Sequence, residues 1–328
     1  MRPFAAKTAL CALAAVLAAF TAASAVAASV AAASVAAGPE PGELIEGYRI
    51  RRSADRTFIM QHPPRLEPMA REIEALLERS AADIAGELGL ETIAPIRVYL
   101  TDDAQTYRNL HGGRIPEWGA AFSAVGAQVL GIHAARVSAG PRGMRAVVRH
   151  ELSHLLFAQR VGGTPAPTWF MEGLAMIQAG EWRFADEWNF MLLAGRGKLP
   201  YLEEIAGPFP RRSEDAALAY GLSYRAVSAL RADVPDFLPT LTAFMRDRGD
   251  FEDAFLMTFG MTPYDFASRQ YVSVHERYRT PGVILNAAPY WFAAAVLLVA
   301  AYVTRRARMR RRLREMEERE MERTPPAG

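Results

Sequence analysis

Cysteine is all but missing from this 328-residue chain, Cys11 being the only one. A scaffold stapled by disulfides is thereby excluded. Most of the apolar stretch around Cys11 follows it, which makes a lipid-modified cysteine a poor reading. Histidine is scarce as well, at six residues, so any histidine pair at meaningful spacing stands out. An excess of one charge is also lacking: 38 basic against 36 acidic residues leave +2. The segment 305–323 holds nine arginines and five glutamates, so the rest of the chain is slightly acidic. No nucleic-acid surface is indicated.

What is present is His150-Glu151-Leu152-Ser153-His154. Residues four apart lie on one face of a helix, so the two imidazoles can aim at one point. Glu151 sits beside them, placed to take a proton from a water at a metal rather than to bind the metal itself. The bland reading is a pair of packed histidines beside a surface glutamate. Gly140 and Pro141 suit the start of this helix and Gly162-Gly163 its end, with Met144, Val147, Leu155 and Ala158 at helical spacing between. The motif therefore falls mid-helix. Arg142, Arg145, Arg149, Gln159 and Arg160 flank it closely, which keeps that helix out of a membrane. A zinc site of this kind needs a third protein ligand. The next segment offers Glu172, early in a second helix that Thr168 is expected to cap.

These blocks resemble the gluzincin zinc peptidases, in particular the peptidase MA-like group related to thermolysin and the membrane aminopeptidases. His150 to His154 carries the first part of the resemblance, and Trp169-Phe-Met-Glu-Gly-Leu-Ala175 the second. A weaker third block runs from Ala219 to Leu230, followed by Phe251 to Phe255 and Phe259-Gly260. The resemblance covers roughly residues 45 to 277 and implies one Zn2+ held by His150, His154 and Glu172, with Glu151 as general base and acid. It also implies an α+β, gluzincin-like domain in which a small mixed sheet and the zinc-site helices precede a helical C-terminal half. In such proteins the strand before the zinc helix borders the cleft and can pair with an extended substrate. Some gluzincins carry an acidic residue one turn after the glutamate ligand; here that position is Met176, so the partners of the histidines are not named. The oxyanion of the reaction needs a donor besides the metal. Tyr220 is the candidate, with Tyr224 one turn away as the alternative.

The peptidase-like domain is expected over 45–280. Tyr48 to Ile50 and Thr57 to His62 read as strands, and Leu66, Met69, Ile73, Leu76, Leu77, Ile84 and Leu88 mark one face of a long helix. Ile96 to Leu100 reads as a buried strand, and Thr101-Asp102-Asp103 as a helix start. Trp118 to His133 reads as two strands joined near Gly126. His133 either faces the cleft or is structural. Trp182, Phe184, Trp188 and Phe190 belong to the core or line a substrate pocket beside Glu172. A proline-bearing loop follows over 199–210, Ser213 begins a helix, and Thr262-Pro263 opens the last helix of the domain.

At the N-terminus, Met1-Arg2 and Lys7 precede an Ala/Leu/Val stretch with Ala-Ser-Ala at 23–25, which reads as a secretory signal over 1–37 with cleavage after Ala25, or else as an uncleaved anchor. Residues 38–44 form a linker. Near the other end, 283–303 is apolar apart from Asn286, long enough to cross a bilayer as one helix. Arginines crowd its far side, which the positive-inside rule places in the cytoplasm, so 304–328 reads as a cytoplasmic tail and the catalytic domain as extracytoplasmic. The sum is a single-pass membrane peptidase acting on peptides or proteins. No glycine- and glutamate-bearing segment of the aminopeptidase kind precedes the zinc helix convincingly, which favours an endopeptidase. The competing reading is a non-catalytic, membrane-anchored zinc scaffold that recognises an envelope protein.

Overall fold

A computed structural model describes residues 44–112, 119–140, 143–195, 199–210, 213–278 and 280–323. The expected signal segment and all of the linker but Leu44 lie outside the described residues. The chain divides into two compact units, 1–275 and 276–328.

The first unit begins with strands. β1 (Arg49–Arg52) and β2 (Phe58–His62) pair antiparallel. The chain then enters α1 (Glu67–Leu88), which buries Ile73, Leu77, Ile84 and Leu88, residues of the apolar stripe, and ends at Gly89 in the left-handed conformation. β3 (Ile96–Thr101) returns parallel to β2. α2 (Ala104–His111) is capped by Asp103, whose carboxylate accepts the Thr106 N–H. β4 (Ala121–Ala124) and β5 (Val129–His133) pair antiparallel around a 3-10 turn at Val125–Ala127, the hairpin expected near Gly126. β5 lies parallel to β3, giving a mixed sheet of order β1-β2-β3-β5-β4. β4 is thus an edge strand, and Gly131 lets the Phe122 ring lie across the hairpin where a Cβ would sit.

Helices make up the remainder. A short α3 (Ala134–Ala139), not foreseen, precedes α4 (Gly143–Val161), and α4 packs against α1 and β4. α5 (Thr168–Ala179) crosses both α4 and α7 (Ser213–Asp233), with α6 (Phe184–Ala194) between them in the chain. Thr168 does not cap α5. Pro167 holds the cap position with no side-chain bond, its carbonyl accepting the Phe170 and Met171 N–H groups at 3.0 and 3.1 Å, and Thr168 is already the first helical residue, its N–H donating to the Ala206 carbonyl at 2.9 Å. α8 (Phe237–Arg248), α9 (Phe251–Phe259) and α10 (Pro263–Tyr278) complete the series. Their aromatics form a second core, in which Trp169 stacks on Phe266 at 6.0 Å and Phe170 meets Phe251 at 5.2 Å. Of the aromatic group after Gly180, Phe190 joins the core whereas Phe184 is 57% exposed.

One glycine explains how closely α5 and α7 approach. A Cβ on Gly173, next to Glu172, would fall inside van der Waals contact with the Ser223 carbonyl and the Val227 side chain. The obstruction is largely backbone, so the helices must separate to admit it. Gly173→Ala is expected to lower stability by about 1–3 kcal/mol, the usual cost of overpacking. An unchanged urea midpoint for the full chain would refute this contact.

The second unit holds the end of α10 and α11 (Thr280–Arg323), a helix with Pro289 inside it. It contains the whole expected transmembrane segment 283–303. The side chains of 283–288 lie outside the described residues, and among the described residues no helix is long and apolar enough to cross a membrane. The expectation of a membrane span therefore gains no support from the fold.

Candidate metal centre

The two histidines stand where helical spacing places them, on one face of α4, with ring centroids 5.0 Å apart. α5 delivers Glu172 opposite. Its Oε2 lies 3.2 Å from Nε2 of His150 and its Oε1 3.7 Å from Nε2 of His154. One donor atom from each of the three residues lies within 4.8 Å of the others, and among the described residues no other group of histidine, cysteine and acidic residues is drawn together this way.

This arrangement fits a metal. Tetrahedral zinc with ligands at about 2.0–2.1 Å holds neighbouring donor atoms roughly 3.3 Å apart. The donor set, two imidazoles and a carboxylate, is the one such a site uses. A further observation points the same way: Nε2 of His154 is buried and has no hydrogen-bond partner. A buried polar atom left in this state is costly unless something binds it. Burial holds His154 neutral, with its pKa lowered to about 4, the form that ligates. For His150 burial also acts downward, but the neighbouring carboxylates of Glu181 and Glu172 outweigh it and raise its pKa well above the ordinary histidine value.

Glu151, buried at 5% exposure, faces the hairpin rather than the solvent. Ser123 on the edge strand β4 donates from Oγ to Oε2 of Glu151 at 2.8 Å. Burial pushes this carboxyl up to about 7, against the pull of His150 and the Ser123 bond. A group poised near neutrality can both accept and return a proton.

Two neighbours of the site had no clear signal in the chain. Ser123 is one of several small residues on its strand, and only the tertiary contact of β4 with α4 distinguishes it. Glu181 stands just past the end of α5, with Oε1 3.3 Å from Nδ1 of His150. An acid following the glycine that ends the ligand helix was the available hint, but position 176, one turn after Glu172, is the helical place to look.

The other candidates separate. His133 is buried with its ring edge-on to Tyr107 at 5.3 Å, which is a packing role. Tyr220 is buried in α7 with its ring edge-on to Phe209 at 4.9 Å. Tyr224 lies flat against Trp182, 4.6 Å away and 10° from parallel. Trp182 and Tyr224 thus occupy each other's ring faces.

Comparison with known proteins agrees with this geometry. No curated protein matches the chain. A family model described as the peptidase MA superfamily matches residues 78–271, more than half of the chain and inclusive of all three candidate ligands and Glu151. It lies within the span of 45 to 277 over which the sequence resembles the gluzincins. With its histidine pair, glutamate and mixed α+β framework on that matched segment, the chain belongs to the peptidase MA superfamily of metallopeptidases, whose members are typically zinc-dependent.

Proposed function

We propose that this protein is a zinc-dependent endopeptidase, held at a membrane by its C-terminal helix with the catalytic domain on the extracytoplasmic side. The observation that carries the catalytic part is the convergence of His150, His154 and Glu172 with a buried Glu151 beside them. A scaffold needs the three ligands but has no use for a buried proton acceptor next to them.

His150, His154 and Glu172 would hold one zinc ion. When bound, zinc supplies Lewis acidity, polarising a scissile carbonyl and lowering the pKa of water toward neutrality. Ser123 fixes Oε2 of Glu151 and leaves Oε1 to take the proton of the attacking water. The same carboxyl then returns the proton to the leaving amine. The edge strand β4 offers its outer backbone groups to an extended peptide, an arrangement that binds main chain with little regard to sequence. Tyr220 is assigned as the donor to the developing oxyanion, in line with the resemblance of its block.

Membrane attachment rests on the sequence: the apolar run at 283–303, Tyr290 and Trp291 at one end, and the arginines from Arg305 at the other. Recovery of the full chain in the soluble fraction of lysed cells would remove that part of the reading.

The test of function is cleavage of unfolded casein and of a mixed peptide library by the zinc-loaded full chain in detergent. Internal cuts are expected, lost on chelation and restored by zinc. Tyr220→Phe should keep its zinc and lose most of this turnover; unchanged turnover would withdraw the oxyanion assignment. Tight zinc binding with no cleavage of any peptide would favour the scaffold that recognises another protein.

A further inference from the structure

We propose that Glu181 is the positioning residue of the metal centre, receiving the Nδ1 proton of His150 so that Nε2 of that ring is presented to the metal. The inference rests on the zinc reading above and adds to it the group that sets the ring's tautomer.

The route by which Glu181 arrives is legible in the backbone. α5 ends with Gly180 in the left-handed conformation at φ 67°. The Gly180 N–H donates to Ile177 O at 3.1 Å and the Glu181 N–H to Met176 O at 3.0 Å. These two bonds are those of a Schellman motif, which folds the residue after the glycine back over the residue four before it. An apolar pair normally makes that contact. Here the earlier residue is Met176, one turn after Glu172, and the later one is a glutamate. An acid missing from the helical position beside the ligand is thereby supplied from the far side of the helix end.

The turn is also tied to the zinc helix. Nε of Arg149 donates to Gln178 O at 2.9 Å, and Oγ of Ser153 to Oε1 of Gln178 at 2.6 Å. Arg149 and His150 are consecutive, so one residue grips the end of α5 while the next meets the acid beyond it. The Glu181 side chain is 1% exposed, a burial that a carboxylate tolerates only with a partner. Nδ1 of His150 is 3.3 Å away. Each nitrogen of His150 thus faces a different carboxylate, and only Nε2 lies on the side shared with Glu172 and His154. An outer carboxylate of this kind fixes ring orientation and raises ligand basicity.

The test compares zinc affinity of the full chain and of Glu181→Gln by competition with a chelating indicator. The variant should bind about 10–100-fold more weakly, the usual cost of losing such a partner. The zinc-free variant should still unfold in one cooperative thermal transition, which separates loss of a zinc partner from loss of the fold; its midpoint is free to shift because a buried charge facing His150 has been removed. Nitrogen-proton correlation spectra of the zinc-loaded wild type supply a readout independent of any variant. They should show His150 protonated on Nδ1, with that proton shifted downfield by its hydrogen bond. Equal affinities, or a spectrum showing His150 bound through Nδ1, would overturn the assignment while leaving the metal centre intact. A wild-type chain that takes up no zinc would instead overturn the centre itself.

Discussion

Glu151→Gln is expected to lower peptide turnover by about 100- to 10,000-fold, the range spanned by loss of a general acid–base group. Zinc content should stay near that of the wild type, because Glu151 points to the hairpin and lies outside the ligand set. Glutamine keeps the shape of the side chain, and its carbonyl can still accept the Ser123 hydroxyl proton. What it cannot do is take a proton from water. The comparison therefore separates proton transfer from packing and from metal binding. Elemental analysis and initial rates on the same preparations read both quantities. A variant that retains hydrolysis would end the assignment of Glu151, whatever its metal content. If the mechanism holds, the same variant would trap bound peptides and identify substrates.

Removal of a ligand should have a different signature. His154→Ala and Glu172→Ala are each expected to abolish stoichiometric zinc binding, since either leaves two donors where three converge. Stability then reports the same loss. A metal that binds only the folded chain raises its stability by about 2.7 kcal/mol at one hundred times its dissociation constant. Added zinc should raise the unfolding temperature of the wild type and leave both variants unmoved. In His154→Ala the buried, unpartnered Nε2 also disappears, so the zinc-free variant escapes one desolvation cost while acquiring a cavity. One equivalent of zinc retained by either variant would show that the three residues are not the ligand set. No zinc on the wild type, even when added, would leave the family's fold without its metal.

Much of this architecture follows from periodicity. The stripe from Ile73 to Leu88 could only be a helix with one buried face, and α1 places it there. The hairpin around Gly126 and the short helix after Asp103 follow from turn and cap chemistry that acts over a few residues. The histidines of α4 were legible for the same reason, because a spacing of four is a geometric statement in a helix. Glu172 is a long-range partner, but its early place in the next helix made it a reasonable third donor. Thr168 shows the limit of local rules: it has the side chain of a cap, yet the proline before it holds the cap position and Thr168 lies inside the helix. The aromatics at 182–190 show another, since density in sequence did not decide which ring goes inward. Phe190 and Phe184 sit on the same helix with opposite exposure.

By itself the sequence determined the parts whose geometry is local: the identity of most helices and strands (though not of the short α3), the paired imidazoles, the adjacent acid and the apolar run near the C-terminus. Only the tertiary structure decided the rest. Ser123 meets Glu151 because the edge strand β4 lies against α4, a contact spanning 28 positions. Glu181 meets His150 because a left-handed glycine turns the chain back and Arg149 ties that turn to α4. Neither pairing has a period or a motif to reveal it. Spacing encodes what one helix presents, whereas a contact between elements depends on how buried apolar faces bring those elements together.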